Sequence, residues 1–396
     1  MKRLSVVDSL RGWSLFGVAL SSLMIFQYGF YGDSFPDFYD MNALSRQLIY
    51  FINLFIEGNF LPIFAVLYGF SLKRMSDNVY SHNKSGKRAI MRRGIFIFFT
   101  GFILMAFIYN GDILYSFGII TFVLMFLVRC KMKTLIRTVY ISLLLLIIII
   151  ALDADLFRSL EIAPVAQEMT DAQMEYLHNE KSVIPSGTFD ERNAFWLDTD
   201  DPFLAYTDAQ IMLVLPILLF SLLPLFVIGI IFDKINFFET GVTRPKKILI
   251  YIMPILLLYK ALMISMPDST FLMIAGSLSS YLLGFSYISA FYLIYLKFGD
   301  RKLYHAFAAT GKLALTNYVI QLIVLGFVCY GYGMQYFGNS DFIVPFLIIV
   351  IVYILEMILS TIYVKHFRYG PLEYLMRLFT YWTVKPRKYS AEHEIY

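Results

Sequence analysis

Apolar blocks of roughly 18–25 residues recur along the whole chain, and they decide what it can fold into. That is the length a helix needs to cross about 30 Å of hydrocarbon. Inside a bilayer every backbone group must be satisfied internally, so such blocks fold as helices. Of 396 residues, 59% are hydrophobic and only 16% are charged, with a mean hydropathy of +0.66. A soluble domain carries nearer a quarter charged residues. The pattern predicts an all-α polytopic transmembrane bundle of about ten spans. They fall at 13–30, 47–72, 94–109, 113–128, 138–152, 209–232, 248–265, 271–296, 307–330 and 343–364.

Charge orients the bundle. Cytoplasmic loops are enriched in Lys and Arg, and with the N terminus inside most of the 33 basic residues fall on that side. Arg46, Arg158, Lys181 and Arg192 lie outside, whereas Lys260 and Lys312 fall within spans. Both termini are therefore expected in the cytoplasm. Lys2 and Arg3 before an apolar run resemble a signal peptide, but Asp8 and Arg11 interrupt that pattern, so an uncleaved first span is expected. The net charge of +4 records topology and attraction to membrane lipids, not nucleic acid. Cys130 and Cys329 fall on opposite sides in this arrangement, which predicts no disulfide.

Residues 1–370 read as the transmembrane domain, and 371–396 as an amphipathic inner-surface helix and tail. The long segment 153–208 is an outer loop with 13 acidic residues against three basic ones. It reads as a solvated acidic surface or as a lid facing substrate. Within it, Thr170 followed by "DAQMEYLHNE" predicts a short capped helix from Asp171 to Glu180.

An ionisable group inside a span needs a partner or a task. Glu57 sits beside Gly58 and Asn59 with Pro62 beyond, so a kinked or broken helix is expected there. Asp112 lies at an outer turn, Lys260 towards an outer helix end where it can snorkel, and Glu356 deep in span ten. Lys312, Thr316 and Gln321 lie near one stripe of span nine, with Asn317 beside it. Near the cytoplasmic mouth stand Asp8, Arg11, Arg74, Arg92, Arg93, Glu373 and Arg377. A guanidinium binds phosphate through a rigid fork of donors, so this mouth suits a phosphate-bearing ligand or a lipid head group. Ordinary interhelical pairing is the alternative reading for each of these groups.

Other chemistries lack their residues. The segment around Gly311 and Lys312 is no phosphate loop, because Ala306 and Leu313 stand where glycine and Ser/Thr are required. His82, His178, His305, His366 and His393 are scattered without metal-ligand spacing.

Six segments occur in order along nearly the whole chain: "LSVVDSLRGWSLFGV", "FIEGNFLPIFAVLYGFSL", "NGDILYSFGI", "GKLALTNYVIQ", "GYGM" and "YGPLEYLMRLFTYW". Together they resemble the YeiB-like family of bacterial inner-membrane proteins, a domain of unknown function. That family is distantly similar to membrane acyltransferases, which carry acyl groups from cytoplasmic acyl-CoA to glycans across the membrane. In those enzymes a basic–acidic–basic segment opens span one, and Lys2/Arg3, Asp8 and Arg11 follow it loosely through the shared "DSLRG". Where the related enzymes carry a catalytic histidine, this chain has Ser22. General-base work would then fall to a carboxylate.

The resemblance and the residues together lead to an acyltransferase-like expectation. Acyl-CoA would be the donor and a cell-envelope glycan or lipid the acceptor. Asp8, Arg11, Lys312, Asn317, Gln321, Glu373 and Arg377 would bind substrate, and Glu57 or Asp112 would act as the outer base, with no metal. The rival expectation is a transporter or exporter of a small or lipidic solute that uses the same polar groups without covalent chemistry.

Overall fold

In the computed structural model, described residues are 4–82, 85–109, 111–152, 169–199, 201–203, 208–265 and 270–382. Every regular element among them is helical. In chain order they are α1 (Ser5–Tyr28), α2 (Ala43–Phe55), α3 (Phe60–Tyr80), α4 (Gly86–Phe107), α5 (Leu114–Leu127), α6 (Met132–Leu152), α7 (Asp171–Ser186) and α8 (Phe189–Asp198). There follow α9 (Asp208–Lys234), α10 (Arg244–Ser265), α11 (Thr270–Phe298), α12 (Lys302–Lys312), α13 (Ala314–Cys329), α14 (Ile343–His366) and α15 (Pro371–Tyr381), with one 3₁₀ turn at Gly32–Ser34.

Among the described residues eight apolar helical segments are long enough to cross a membrane, and they coincide with eight of the ten expected spans. The chain is a multi-pass membrane protein. Two spans differ from expectation. The fourth is α5, whose 14 residues reach only about 21 Å as helix. The ninth is not one rod: α12 and α13 meet at Leu313 and bend by 83°. The expected stripe from Lys312 to Gln321 is therefore broken, because Lys312 ends one helix while Asn317 and Gln321 belong to the next.

The predicted break in span two is present at Ile56–Asn59, between α2 and α3, with Gly58 at φ +67°. A side chain at that φ would be strained. Breaking a helix in hydrocarbon frees carbonyls that need donors, and three donors arrive. Asn59 Nδ2 donates to the Leu54 carbonyl at 3.3 Å and the Tyr287 hydroxyl to that of Phe55 at 2.9 Å. Lys260 Nζ donates to the Glu57 carbonyl and to Asn59 Oδ1. Lys260 is 5% exposed, so it turns into the break and does not snorkel.

Helix α1 is the hub of the bundle and touches α2, α3, α11, α12, α13 and α14. Its closest approach is to α12, where a Cβ on Gly12 would lie 1.9 Å from the Phe307 carbonyl oxygen. A Cβ on Gly311 would meet the Asp8 carbonyl oxygen at the same distance. Only glycine fits at either position. Around this crossing Ser9 Oγ donates to the Tyr304 carbonyl at 2.9 Å and the Tyr353 hydroxyl to that of Gly12 at 2.8 Å. Helices α4, α6, α10 and α14 expose large apolar side chains such as Phe99, Leu144, Ile255 and Ile358, as lipid contact requires.

The expected helix in the acidic segment is present and longer than predicted. Thr170 and Gln173 cap α7 reciprocally, and Thr188 and Glu191 do the same for α8. Both helices fold down over the bundle: His178 packs edge-on against Phe38, and Trp196 against Tyr330. Residues 153–168 of that loop and the tail beyond 382 lie outside the described residues.

Candidate functional site

The sequence-predicted residues separate into two groups, one at each end of the bundle. At the basic end, Asp8 is 3% exposed and accepts from Arg11 Nη1 at 2.9 Å. Arg11 also donates to Ser71 Oγ at 2.7 Å and to the Gly311 carbonyl at 3.4 Å. Its guanidinium fork thus ties α1 to α3 and α12. This answers why a charge pair and a glycine open the first helix: Gly12 admits α12, and Arg11 fastens it.

Glu373 on α15 has a comparable task. Its Oε1 accepts from the backbone N–H groups of Leu315 and Thr316 at 2.7 and 3.0 Å, and its Oε2 accepts from Thr316 Oγ1 at 2.6 Å. The first N–H groups of a helix lack partners and attract negative charge. The bend at Leu313 creates such an end, and Glu373 caps it from beyond the last span. Arg74, named with this mouth, is held by Asp233 at 2.7 Å and by Glu239.

Three cations at this end keep donors to spare. Lys312, half-buried at the bend, makes no hydrogen bond or ion pair among the described residues. Arg377 Nη1 and Arg93 Nε are buried without partners, although Arg377 also lies over the rings of Tyr369 and Tyr381. Arg93 lies over Tyr68, one turn from Ser71.

Within the bundle, Asn317 Nδ2 donates to the Thr310 carbonyl at 3.2 Å and to Ser360 Oγ at 3.0 Å. Gln321 Nε2 donates to Glu356 Oε2 at 2.6 Å, while Gln321 Oε1 and Glu356 Oε1 remain buried without partners. These contacts join α13 to α12 and α14, so Asn317 in particular is engaged in packing.

The other end gathers carboxyl groups. Glu57 Oε2 is buried and unpartnered. Asp112, 1% exposed, accepts from the Leu114 N–H at 2.5 Å, capping α5, and from the Tyr318 hydroxyl at 3.1 Å. Sequence reading singled out these two and missed two more, Asp33 and Glu180. Burial and the neighbouring Glu57 carboxylate push Asp33 up to about 7, against a hydrogen bond from Asn53 that lowers it. Burial pushes Asp112 up to about 6, offset by its two hydrogen bonds. Glu180 is raised to about 8 by burial and then by Asp201. Tyr109 stands within electrostatic reach of Asp112, Glu57 and Glu180, so these carboxyls surround one place.

Asp33 was hidden in a short loop, and Glu180 among the many acids of its segment. Arg192, 2% exposed and lying over Tyr330 and Tyr332, did carry a signal as one of the few basic residues that the charge pattern assigns to the outer side. Among the described residues no cluster of His, Cys, Asp and Glu could hold a metal ion.

Comparison with known proteins gives similarities and no activity. Residues 233–383 match the family described as "Protein of unknown function (DUF418)". The chain is 25% identical to the uncharacterized protein YxaH of Bacillus subtilis, over 97% of this chain and 96% of that protein. It is 24% identical to the uncharacterized protein YeiB of Escherichia coli, over 96% and 97% of the two chains. An uncharacterized protein from the amylase 3' region of Bacillus acidopullulyticus is 21% identical over 96% of this chain and 94% of its own. No solved structure matches the chain. The match to the DUF418 model is confined to residues 233–383, whereas the similarity to the uncharacterized proteins YxaH and YeiB runs from end to end, so the chain is similar over its whole length to YeiB-like proteins of unknown function.

Proposed function

We propose that this protein is an acyltransferase-like enzyme of the bacterial cytoplasmic membrane, moving an acyl group from a cytoplasmic donor to an extracytoplasmic glycan or lipid. The observation that carries this reading is the set of carboxyls opposite the basic end. Asp33, Asp112 and Glu180 are held between about 6 and 8. A general base works best with a pKa near the operating pH, and these three carboxyls are raised toward it. Glu57 is the best placed to accept a proton, since its Oε2 has no competing partner. Asp112 would support it while capping α5.

At the basic end the phosphates of a donor such as acyl-CoA would fall to Lys312, Arg377 and Arg93, which keep free donors. Arg11 and Asp8 would position this mouth, with Glu373 fixing the bend and Gln321 along the passage. In the transfer the donor's acyl C–S bond breaks, a C–O bond forms to the acceptor hydroxyl, and that hydroxyl's proton passes to the carboxylate. Purified protein given acyl-CoA and an envelope glycan extract would release free CoA. Glu57→Gln would lower that rate by 10²–10⁴-fold, roughly the usual contribution of a base. No CoA release above an empty-micelle control would refute the reading.

A second reading, transport of a small or lipidic solute, draws support from the two broken spans, each with a lysine at its break, Lys260 and Lys312. Discontinuous helices commonly line transporter sites. Solute uptake into vesicles without CoA release would favour it.

A further inference from the structure

The loop helices enclose a small cavity over the carboxyl-rich end, and it is lined in an unusual way. Five rings, Phe30, Tyr109, Trp196, Tyr330 and Phe337, surround it together with the carboxyl of Glu180. It measures about 10 Å³, room for a single water-sized group. Glu180 is 3% exposed and Tyr109 6%, and each has a polar atom, Oε2 and the hydroxyl, with no hydrogen-bond partner. A buried polar atom left unpaired costs about 1–3 kcal/mol, so two on residues that line one cavity mark a place built for an occupant.

Glycines make the room. Gly29, at φ +70°, lies under the Glu180 carboxyl, and a Cβ there would sit 2.5 Å from Oε1. Gly111 does the same beneath the Tyr109 hydroxyl, at 2.2 Å. The rings offer electron-rich faces, and the carboxyl offers a negative charge once ionised. Aromatic walls closed by a carboxylate are the surroundings that hold an organic ammonium. Negative groups stand nearby, since Asp112 and Glu57 lie within electrostatic reach of Tyr109, and Asp201 within reach of Glu180. Arg192 lies over the Tyr330 ring and outside the cavity lining.

We propose that this cavity binds the primary ammonium group of an extracytoplasmic amine, with Glu180 as its counter-ion and Tyr109, Trp196 and Tyr330 as its cage. The inference stands apart from the reading above, because a captured amine could be acylated or carried. Binding requires Glu180 to ionise, and the groups facing it are Asp201, Tyr39, Tyr176 and Tyr109. The nearby cations are Lys181, lying over Phe38 and Tyr39, and Arg192, over Tyr330; neither is paired with Glu180, which is raised to about 8, so the bound amine displaces a proton.

The test uses the full chain in micelles with Trp13→Phe and Trp382→Phe, leaving Trp196 as reporter. Ethanolamine is the probe, ethylene glycol its neutral counterpart and acetate the anionic control. Ethanolamine should change Trp196 emission saturably, and its affinity should tighten roughly tenfold per unit between pH 6 and 8. Glycol and acetate should do neither. Glu180→Gln should weaken binding at least tenfold and flatten the pH dependence, whereas Tyr109→Phe, which keeps the cage, should cost about threefold. Should Glu180→Gln fail to fold, charge selectivity and pH slope in the parent protein decide alone. Equal responses to ethanolamine and glycol, a preference for acetate, or a pH-independent affinity would overturn the proposal.

Discussion

Removing the Glu373 carboxylate should unlatch the ninth span. Glu373→Ala strips three acceptor contacts at 2.6–3.0 Å from Leu315 and Thr316 and leaves two backbone N–H groups at a half-buried helix start. Losing a cap costs about 0.5–2 kcal/mol, and hydrogen bonds to a charged group are worth about 1.5–3 kcal/mol each before compensation. Water can reach part of the site, so about 3 kcal/mol is a fair net figure, or roughly 100-fold in a local opening equilibrium. The protein carries its own reporter, because Cys329 ends α13 and is fully buried. In a Cys130→Ser background, maleimide labelling of Cys329 reads the open fraction. Glu373→Ala should speed it about 100-fold, and Glu373→Gln, which keeps an acceptor but loses the charge, should fall between. Labelling as slow as in the parent protein would mean that α13 is held without Glu373, and the latch argument would fail.

Three further outcomes follow from contacts described above. Gly12→Val places side-chain carbon inside the Phe307 carbonyl and should cost about 3 kcal/mol, seen as loss of the monodisperse peak after extraction. Asp33, Asp112 and Glu180 bind protons more tightly when folded, so what they add to stability is complete below about pH 4 and is lost as pH rises through about 6 to 8. Thermal scans should therefore show stability falling from pH 5 to 9, and Glu180→Gln should flatten the upper part, a shift worth at most ~5 kcal/mol. Asp112→Asn keeps one carbonyl acceptor for Leu114 or Tyr318 and should slow CoA release less than Glu57→Gln does; an equal loss would assign the base to Asp112.

The spans were readable because hydrocarbon imposes a local rule, length and apolarity, that each segment obeys alone. The break beside Glu57 was readable for the same reason, since Gly58 and Pro62 lie within a few residues of it. The bend at Leu313 was not. Its causes are Asp8 and Gly12, about 300 positions earlier, and Glu373, some sixty later, and no window along the sequence contains them together. Arg11 and Asn317 looked like ligand groups because an intramembrane polar residue has the same appearance whether it binds a neighbour or a substrate. Glu180 was missed for the opposite reason: an acid in an acidic segment raises no alarm until folding buries it beneath two glycine-cleared walls.

The position of α1 at the hub has a consequence for how the chain is made. This helix leaves the ribosome long before its permanent neighbours: Tyr304 for Ser9, Gly311 for Arg11, Asp341 for Gln27 and Tyr353 for Gly12 lie 295–341 residues downstream. During most of synthesis the newborn helix waits in the lipid without them. The Asp8–Arg11 pair, one turn apart, lets it wait, because each charge is answered by the other from the moment the first turn winds.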